Sequence, residues 1–302
     1  MRASFLFVTK ARAMTEKKID EATGTETKGH EWDGIEELDT PLPRWWLWTF
    51  YACILFAIGY SVAYPAIPLL DRATTGLLGW SSRSQLGQEM RAADAANATT
   101  RTAIAKADIA TLDPHGALMQ AAVAGGRAAF KVNCAPCHGA GAAGSKGYPN
   151  LNDDDWLWGG DRAAIHQTIL HGIRQPDSST TRMSQMPAFG RDGILTPAEI
   201  LDVVSYVRLV SRQESGSAAA QRGAALFAAN CAACHGTDAK GNREFGAPNL
   251  TDAIWLYGGD REALTTTITN ARYGVMPAWG EKLDPATINM LTAYVHSLGG
   301  GE

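Results

Sequence analysis

The sequence predicts an all-α protein in which one membrane-spanning helix precedes two tandem copies of a small helical domain. Three observations carry this expectation. Residues 45–64, "WWLWTFYACILFAIGYSVAY", contain no charged side chain. The second half of the chain repeats itself. The apolar positions of each copy recur at the spacing of short helices rather than of strands.

The first element is a polar tail, residues 1–40. Its stretch 15–40, "TEKKIDEATGTETKGHEWDGIEELDT", is too poor in large apolar residues to build a core, and the expectation is a mobile segment up to the approach to the membrane. Residues 1–13 differ in character from the rest of the tail, so Met14 is a second candidate start. The anchor itself is placed at 41–66. A helix of about 20 residues spans about 30 Å, the thickness of a bilayer core. Trp45, Trp46 and Trp48 mark one interface, and Tyr60 and Tyr64 mark the other. Arg44 precedes the span and Pro65 ends it. "SVA" at 61–63 resembles a signal-peptide cleavage site, but the apolar run is too long and begins too late for one, which favours an uncleaved anchor. Cys53, inside the run, reads as a small buried hydrophobe. Lys28 and Arg44 flank the span before it, and Arg72 and Arg83 flank it after. Arg2, Lys10, Arg12, Lys17 and Lys18 of the tail add a vote for an inside N-terminus.

Residues 67–115 form the next section, Ala-rich and charged, expected as an exposed helix that is loosely packed or covered by a partner. The two copies come next, at 116–212 and 213–302, joined by the linker "SRQESGSAAA" (211–220). "PNLNDDDWLWGGDRAAIHQTI" (149–169) aligns with "PNLTDAIWLYGGDREALTTTI" (248–268). "MPAFG" (186–190) aligns with "MPAWG" (276–280), and "LTPAEILDVVSYV" (195–207) with "LDPATINMLTAYV" (283–295). The first copy carries extra residues within "HGIRQPDSSTTRMSQ" (171–185). Thr196, Pro197 and Glu199 spell a helix start, and Asp284 and Pro285 do the same in the second copy. Ile200, Val203, Val204 and Val207 lie on one face and are expected to pack on the first helix of their own copy.

Each copy also carries a cysteine motif. The chain has five cysteines, too few for a disulfide scaffold, and four of them stand in "NCAPCH" (133–138) and "NCAACH" (230–235). A tetrahedral zinc site would need both pairs to converge on one metal and would need no histidine after each pair. C-x-x-C-H instead reads as covalent attachment of haem c. Two thiols one helical turn apart suit the two porphyrin vinyl groups, and the adjacent histidine falls beneath the iron. The expected cofactors are therefore two haems c, held by Cys134, Cys137, Cys231 and Cys234, with His138 and His235 as proximal iron ligands. A methionine on the open side gives the six-coordinate iron of an electron carrier. Met276 is the candidate in the second copy. Met183 and Met186 both lie in the corresponding loop of the first, and the M-P-A-[FW]-G match selects Met186. Each methionine is assigned to the haem of its own domain, with a crossed pairing left open. Trp156 and Trp255 read as crevice walls. Arg162 and Arg261 read either as partners of haem propionates or, with Asp161 and Asp260 as caps, as part of a helix start. His166 and His171 are expected at the surface, as is His296, and His30 and His115 carry no signal. The net charge of −4 offers no support for nucleic-acid binding.

The segment "DTPLPRWWLWTFYACILFAIGYSVAYP", followed by two C-x-x-C-H domains with W-L-[WY]-G-G and M-P-A-[FW]-G, resembles the dihaem CcoP/FixP subunit (subunit III) of cbb3-type cytochrome c oxidase. The resemblance runs from about residue 30 to the end, and "EWDGIEELDTPLPRWW" is its most specific part. It implies an all-α chain with one transmembrane helix and two tandem cytochrome c domains. The implied role is a non-catalytic relay that passes electrons from a periplasmic donor cytochrome c to a proton-pumping oxidase. The implied partners are the haem–copper catalytic subunit, a monohaem c subunit and the lipid membrane. Covalent haem attachment outside the bacterial inner membrane further implies a cytoplasmic N-terminus and periplasmic haem domains. The competing readings are a free-standing tethered dihaem carrier and a haem sensor or peroxidase.

Overall fold

The computed structural model describes residues 18–176 and 178–300. Arg2, Lys10, Arg12, Met14 and Lys17 lie outside the described residues. The chain divides into two compact units, residues 1–92 and 93–302.

In the first unit, β1 (Thr27–Trp32) and β2 (Ile35–Leu38) form an antiparallel hairpin in which Trp32 stands opposite Ile35. Asp33 and Gly34 both adopt left-handed backbone, with φ of 50° and 83°. Two such residues match the right-handed twist of the strands, the reason Asp-Gly closes two-residue hairpins. The hairpin lies mostly in the approach to the membrane, and only residues 27–30 of it fall in the stretch expected to be mobile, where a local turn signal pairs a segment that has no core. Lys18 adds an ion pair to Glu36 at 3.1 Å.

Helix α1 (Arg44–Ala63) coincides with the expected anchor. Among the described residues it is the one helix long and apolar enough to cross a membrane. None of its residues is buried by the rest of the chain. Cys53 is accordingly exposed rather than buried, a correction that stems from a helix apolar all round. The helix ends where Tyr64 turns extended ahead of Pro65. Its last carbonyls do not remain open. Leu77 N–H donates to Val62 O at 2.9 Å and Leu78 N–H to Ala63 O at 3.0 Å. Gly76 permits this return, because a β-carbon there would lie 2.4 Å from Ala63 O.

Helix α2 (Ser82–Lys106) leads into the second unit and buries only Ile104. The first copy then supplies α3 (Ala117–Asn133), α4 (Ala135–His138), α5 (Arg162–His171) and α6 (Pro197–Val210). The second supplies α7 (Ala218–Asn230), α8 (Ala232–His235), α9 (Arg261–Asn270) and α10 (Pro285–His296). The caps fall where the sequence puts them. Asp161 accepts from Ala164 N–H at 2.9 Å and Asp260 from Ala263 N–H at 2.8 Å. Thr196 and Glu199 complete a capping box.

The helices pair across the copies. α6 packs on α7 and α9, and α10 packs on α3 and α5. Ile200, Val203, Val204 and Val207 therefore meet Phe227, Leu264 and Ile268 of the second copy. Ile288, Leu291, Tyr294 and Val295 meet Phe130, Ile165 and Ile169 of the first. This corrects the expectation that each terminal helix packs on its own copy. The short connection between α6 and α7 makes them sequential antiparallel neighbours, which leaves α3 free for α10. Each crossing is a close backbone approach at a glycine. A β-carbon on Gly126 would lie 1.9 Å from Met290 O, and one on Gly223 would lie 2.0 Å from Asp202 O. One turn on, Phe130 packs on Tyr294 with centroids 5.3 Å apart, and Phe227 on Tyr206 at 5.1 Å.

Among the described residues a third core lies beside one pairing only. Ile104, Ile109, Met119 and Ala122 pack with Ala286, Met290 and Ala293 of α10. Asn289 Nδ2 donates to Ile104 O at 2.8 Å and Ala107 O at 3.2 Å. α2 is thus the exposed helix expected, and only its end is packed.

Candidate functional site

Cys134 closes α3, its N–H donating to Phe130 O at 2.9 Å, and α4 is the single turn after it. That turn brings His138 N–H to 2.9 Å from Cys134 O. His138 Nδ1 lies 3.0 Å from Pro149 O. A carbonyl can only accept, so Nδ1 carries the proton and the Nε2 lone pair is free for a metal. The second copy repeats the arrangement with Cys231, Cys234 and His235, whose Nδ1 lies 3.1 Å from Pro248 O. Burial holds both imidazoles below the ordinary histidine range, keeping them neutral. Gly139 and Gly236 leave the motif with φ of 79°, which turns the chain back over the histidine. All four cysteines are free. Burial, and secondarily the neighbouring cysteine, pushes the Cys134 and Cys231 thiols up to about 11. Such thiols do not make a low-pKa redox dithiol.

Cys231, Cys234 and His235 open into a cavity of about 590 Å³ whose lining includes Met186, Phe227, Trp255 and Ile268. Met183 is 67% exposed. Met276, Cys134 and Trp156 all pack against the core cluster that contains Phe130. Each M-P-A-[FW]-G methionine is therefore placed beside the cysteine motif of the other copy, the arrangement of the crossed pairing that the sequence left open. The cause is the helix crossing, because each loop travels with the terminal helix that comes after it. Phe189 N–H donates to Ile268 O, and Trp279 N–H donates to Ile169 O, both at 3.1 Å.

The chain matches the family model "Cytochrome C oxidase, cbb3-type, subunit III" over residues 121–207 and 218–295. It also matches "N-terminal domain of cytochrome oxidase-cbb3, FixP" over 24–71. It is 54% identical over 276 residues to the cbb3-type cytochrome c oxidase subunit CcoP of Cereibacter sphaeroides, covering 91% of this chain and 95% of that one. It is 54% identical over 285 residues to the subunit FixP of Azorhizobium caulinodans, covering 94% and 96%. Against FixP of Bradyrhizobium diazoefficiens the identity is 51% over 286 residues, covering 94% and 98%. The chain belongs to the CcoP/FixP family of cbb3-type cytochrome c oxidase subunits. It is a cytochrome subunit of that oxidase, and its cytochrome c domains imply haem c. The donor set fits: paired free thiols on one turn, a neutral imidazole with Nε2 open, and an apolar cavity with a thioether on its wall.

The remaining residues of this CcoP/FixP chain divide less as expected. Arg162 donates to Leu112 O at 2.6 Å. Arg261 pairs with Glu214 at 2.7 Å and also reaches Ser205. G-G-D-R is thus a capped helix start, and its arginines are engaged elsewhere. Sequence reasoning passed over other arginines. Arg182 lies over the Trp158 ring at 5.3 Å and donates to Trp158 O, and Arg272 lies over Tyr257 at 5.4 Å. Each stands four residues before its methionine, a repeat feature present in "RMSQM" and "RYGVM". Arg272 and Arg174 line the cavity. Trp158 and Tyr257 pack reciprocally on the glycines of the opposite copy, Gly246 and Gly147. His166 is half-buried and bonded to Asn289, and His171 Nδ1 lies 2.7 Å from Thr180 Oγ1. Neither is free on the surface, and His296 is half-buried too. His30 and His115 are exposed.

Proposed function

We propose that the chain binds two haems c covalently and relays single electrons, one haem held by Cys134, Cys137, His138 and Met276, the other by Cys231, Cys234, His235 and Met186. The observation that carries the reading is the cavity in which Met186 faces Cys231, Cys234 and His235. When bound, haem supplies a one-electron couple whose potential a thioether ligand raises. The thiols would anchor the porphyrin. The histidines, fixed by Pro149 and Pro248, would present Nε2 to the iron. The methionines would close the sixth position, leaving no room for oxygen. A chain built this way accepts and passes electrons while oxygen chemistry belongs to the catalytic subunit. In this reading α1 holds the chain in the inner membrane with the N-terminus cytoplasmic and the haem domains periplasmic. It sits beside the haem–copper and monohaem subunits and receives electrons from a periplasmic cytochrome.

The purified chain should stain for haem after denaturing electrophoresis and weigh two haems above its polypeptide mass. Met186→Leu should remove about half of the red-edge methionine–iron absorption band and lower one potential, whereas Met183→Leu should leave the band intact. A mass of one haem or none would remove the reading. Stoichiometric carbon monoxide binding by the reduced wild type would favour a sensor or peroxidase.

A further inference from the structure

The two copies differ most in the nine residues 173–181. In the second copy Ala271 runs directly into Arg272. In the first, Gly172 and Arg182 occupy the corresponding places, and the extra residues lie between them. Gly172 and Ala271 both have positive φ, 69° and 56°. Arg182 and Arg272 share their stacking on Trp158 and Tyr257. The flanks are thus equivalent, and the insertion is the difference.

Its first residue pairs with Met276. Ile173 N–H donates to Met276 O at 2.9 Å, and Met276 N–H donates to Ile173 O at 3.0 Å. Arg174 Nε donates to Gly274 O at 3.1 Å. The insertion is itself braced, since Arg174 N–H donates to Arg182 O at 2.9 Å and Gln175 N–H to Thr181 Oγ1 at 3.2 Å. Gly172 lets the methionine loop come this close. A β-carbon there would lie 2.4 Å from Met276 O and 2.7 Å from Ala278 N. Ala271, its counterpart beside the Met186 loop, carries that carbon. Among the described residues no backbone hydrogen bond holds Met186 as Ile173 holds Met276.

We infer that Gly172, Ile173 and Arg174 are positioning residues that clamp the Met276 loop, making the two methionine–iron bonds unequal, with Met186 the one that yields first to a competing ligand. The inference rests on the ligand assignment proposed above. Two reciprocal backbone hydrogen bonds oppose withdrawal of Met276 from its iron. Met186 withdraws without breaking any such pair. The haem attached at Cys231 and Cys234 is then the one whose sixth position opens.

The test is an imidazole titration of the oxidised full-length chain in detergent, followed at the red-edge methionine–iron band. In the wild type, half of the band should be lost at roughly tenfold lower imidazole than the other half, the factor that one or two net hydrogen bonds supply. Met276→Leu should leave only the easily displaced half, and Met186→Leu only the resistant half. Gly172→Ala, and separately deletion of residues 173–181, should make the resistant half as easily displaced as the other. Gly172 has ψ of −172° where Ala271 has 140°, so Gly172→Ala adds backbone strain to the close approach, and the deletion reads the clamp without that strain. Equal displacement of both halves in the wild type, or a resistant half that disappears in Met186→Leu, overturns the inference. If neither leucine variant removes half of the band, the ligand assignment itself fails. The wild type and the two leucine variants decide the inequality, and a resistant half unchanged by the deletion of 173–181 removes the clamp from these residues.

Discussion

Asp155 is a half-buried carboxyl on the wall of the Met186 cavity. Burial, then Asp252, Asp153 and Asp154, push its pKa up to about 6. Its folded value lies above its unfolded one, so its contribution to stability is present at low pH and is lost as pH rises through about 6. The same deprotonation puts a negative charge beside the cavity and favours the oxidised state of a haem there. One midpoint potential should therefore fall as pH rises through this range, and Asp155→Asn should flatten that dependence. Potentiometry of both proteins between acid and neutral pH reads the difference directly, and an unchanged slope in Asp155→Asn would remove the assignment. At this scale the sequence was legible where chemistry is local. The C-x-x-C-H triplets, the caps Asp161, Asp260 and Thr196, and the preference for Met186 over Met183 all rest on short patterns. Arg174, Arg182 and Arg272 did not, because what they touch depends on loops folding back from distant positions.

Among the elements, the two helix crossings are the parts most sensitive to a single atom. Gly126→Ala and Gly223→Ala each place a methyl group inside the van der Waals radius of a partner carbonyl. The helices must separate, and the Phe130–Tyr294 and Phe227–Tyr206 contacts one turn away separate with them. Each substitution should cost about 3 kcal/mol or more, at the upper end of overpacking effects. Denaturant unfolding would show this as a lower midpoint, and a midpoint within error of wild type would mean the crossings are looser than described. The existence of these helices was legible in their caps and apolar spacing. Their partners were not, since an amphipathic stripe states that a face is covered and does not state by what. The hairpin was readable but passed over, because Asp33–Gly34 is a turn signal inside a segment whose composition otherwise argues for disorder.

For the molecule as a whole, the sequence repeats and the packed cores do not coincide. The repeats are 116–212 and 213–302, yet each core draws a first helix from one and a last helix from the other. Neither repeat alone should give a monomer with an intact methionine–iron band, whereas residues 93–302 should, since that segment contains both pairs and the end of α2. Light scattering combined with absorption spectroscopy on the three fragments checks this. A monomeric single repeat with a full band would contradict the crossing.

The crossing also sets an order of birth. Synthesis runs from the N-terminus, so Met186 and α6 emerge before Cys231, and the second site would find the methionine proposed for it and one wall already made. The first site has the opposite history. Cys134, Cys137 and His138 emerge early, but Met276 and α10 are among the last parts of the chain to appear. The haem proposed there would wait, held by its thioethers and one histidine, until translation is nearly over. On that proposal the first haem site to be started is the last to be closed, and a chain truncated before Pro285 would leave it without the helix that covers α3.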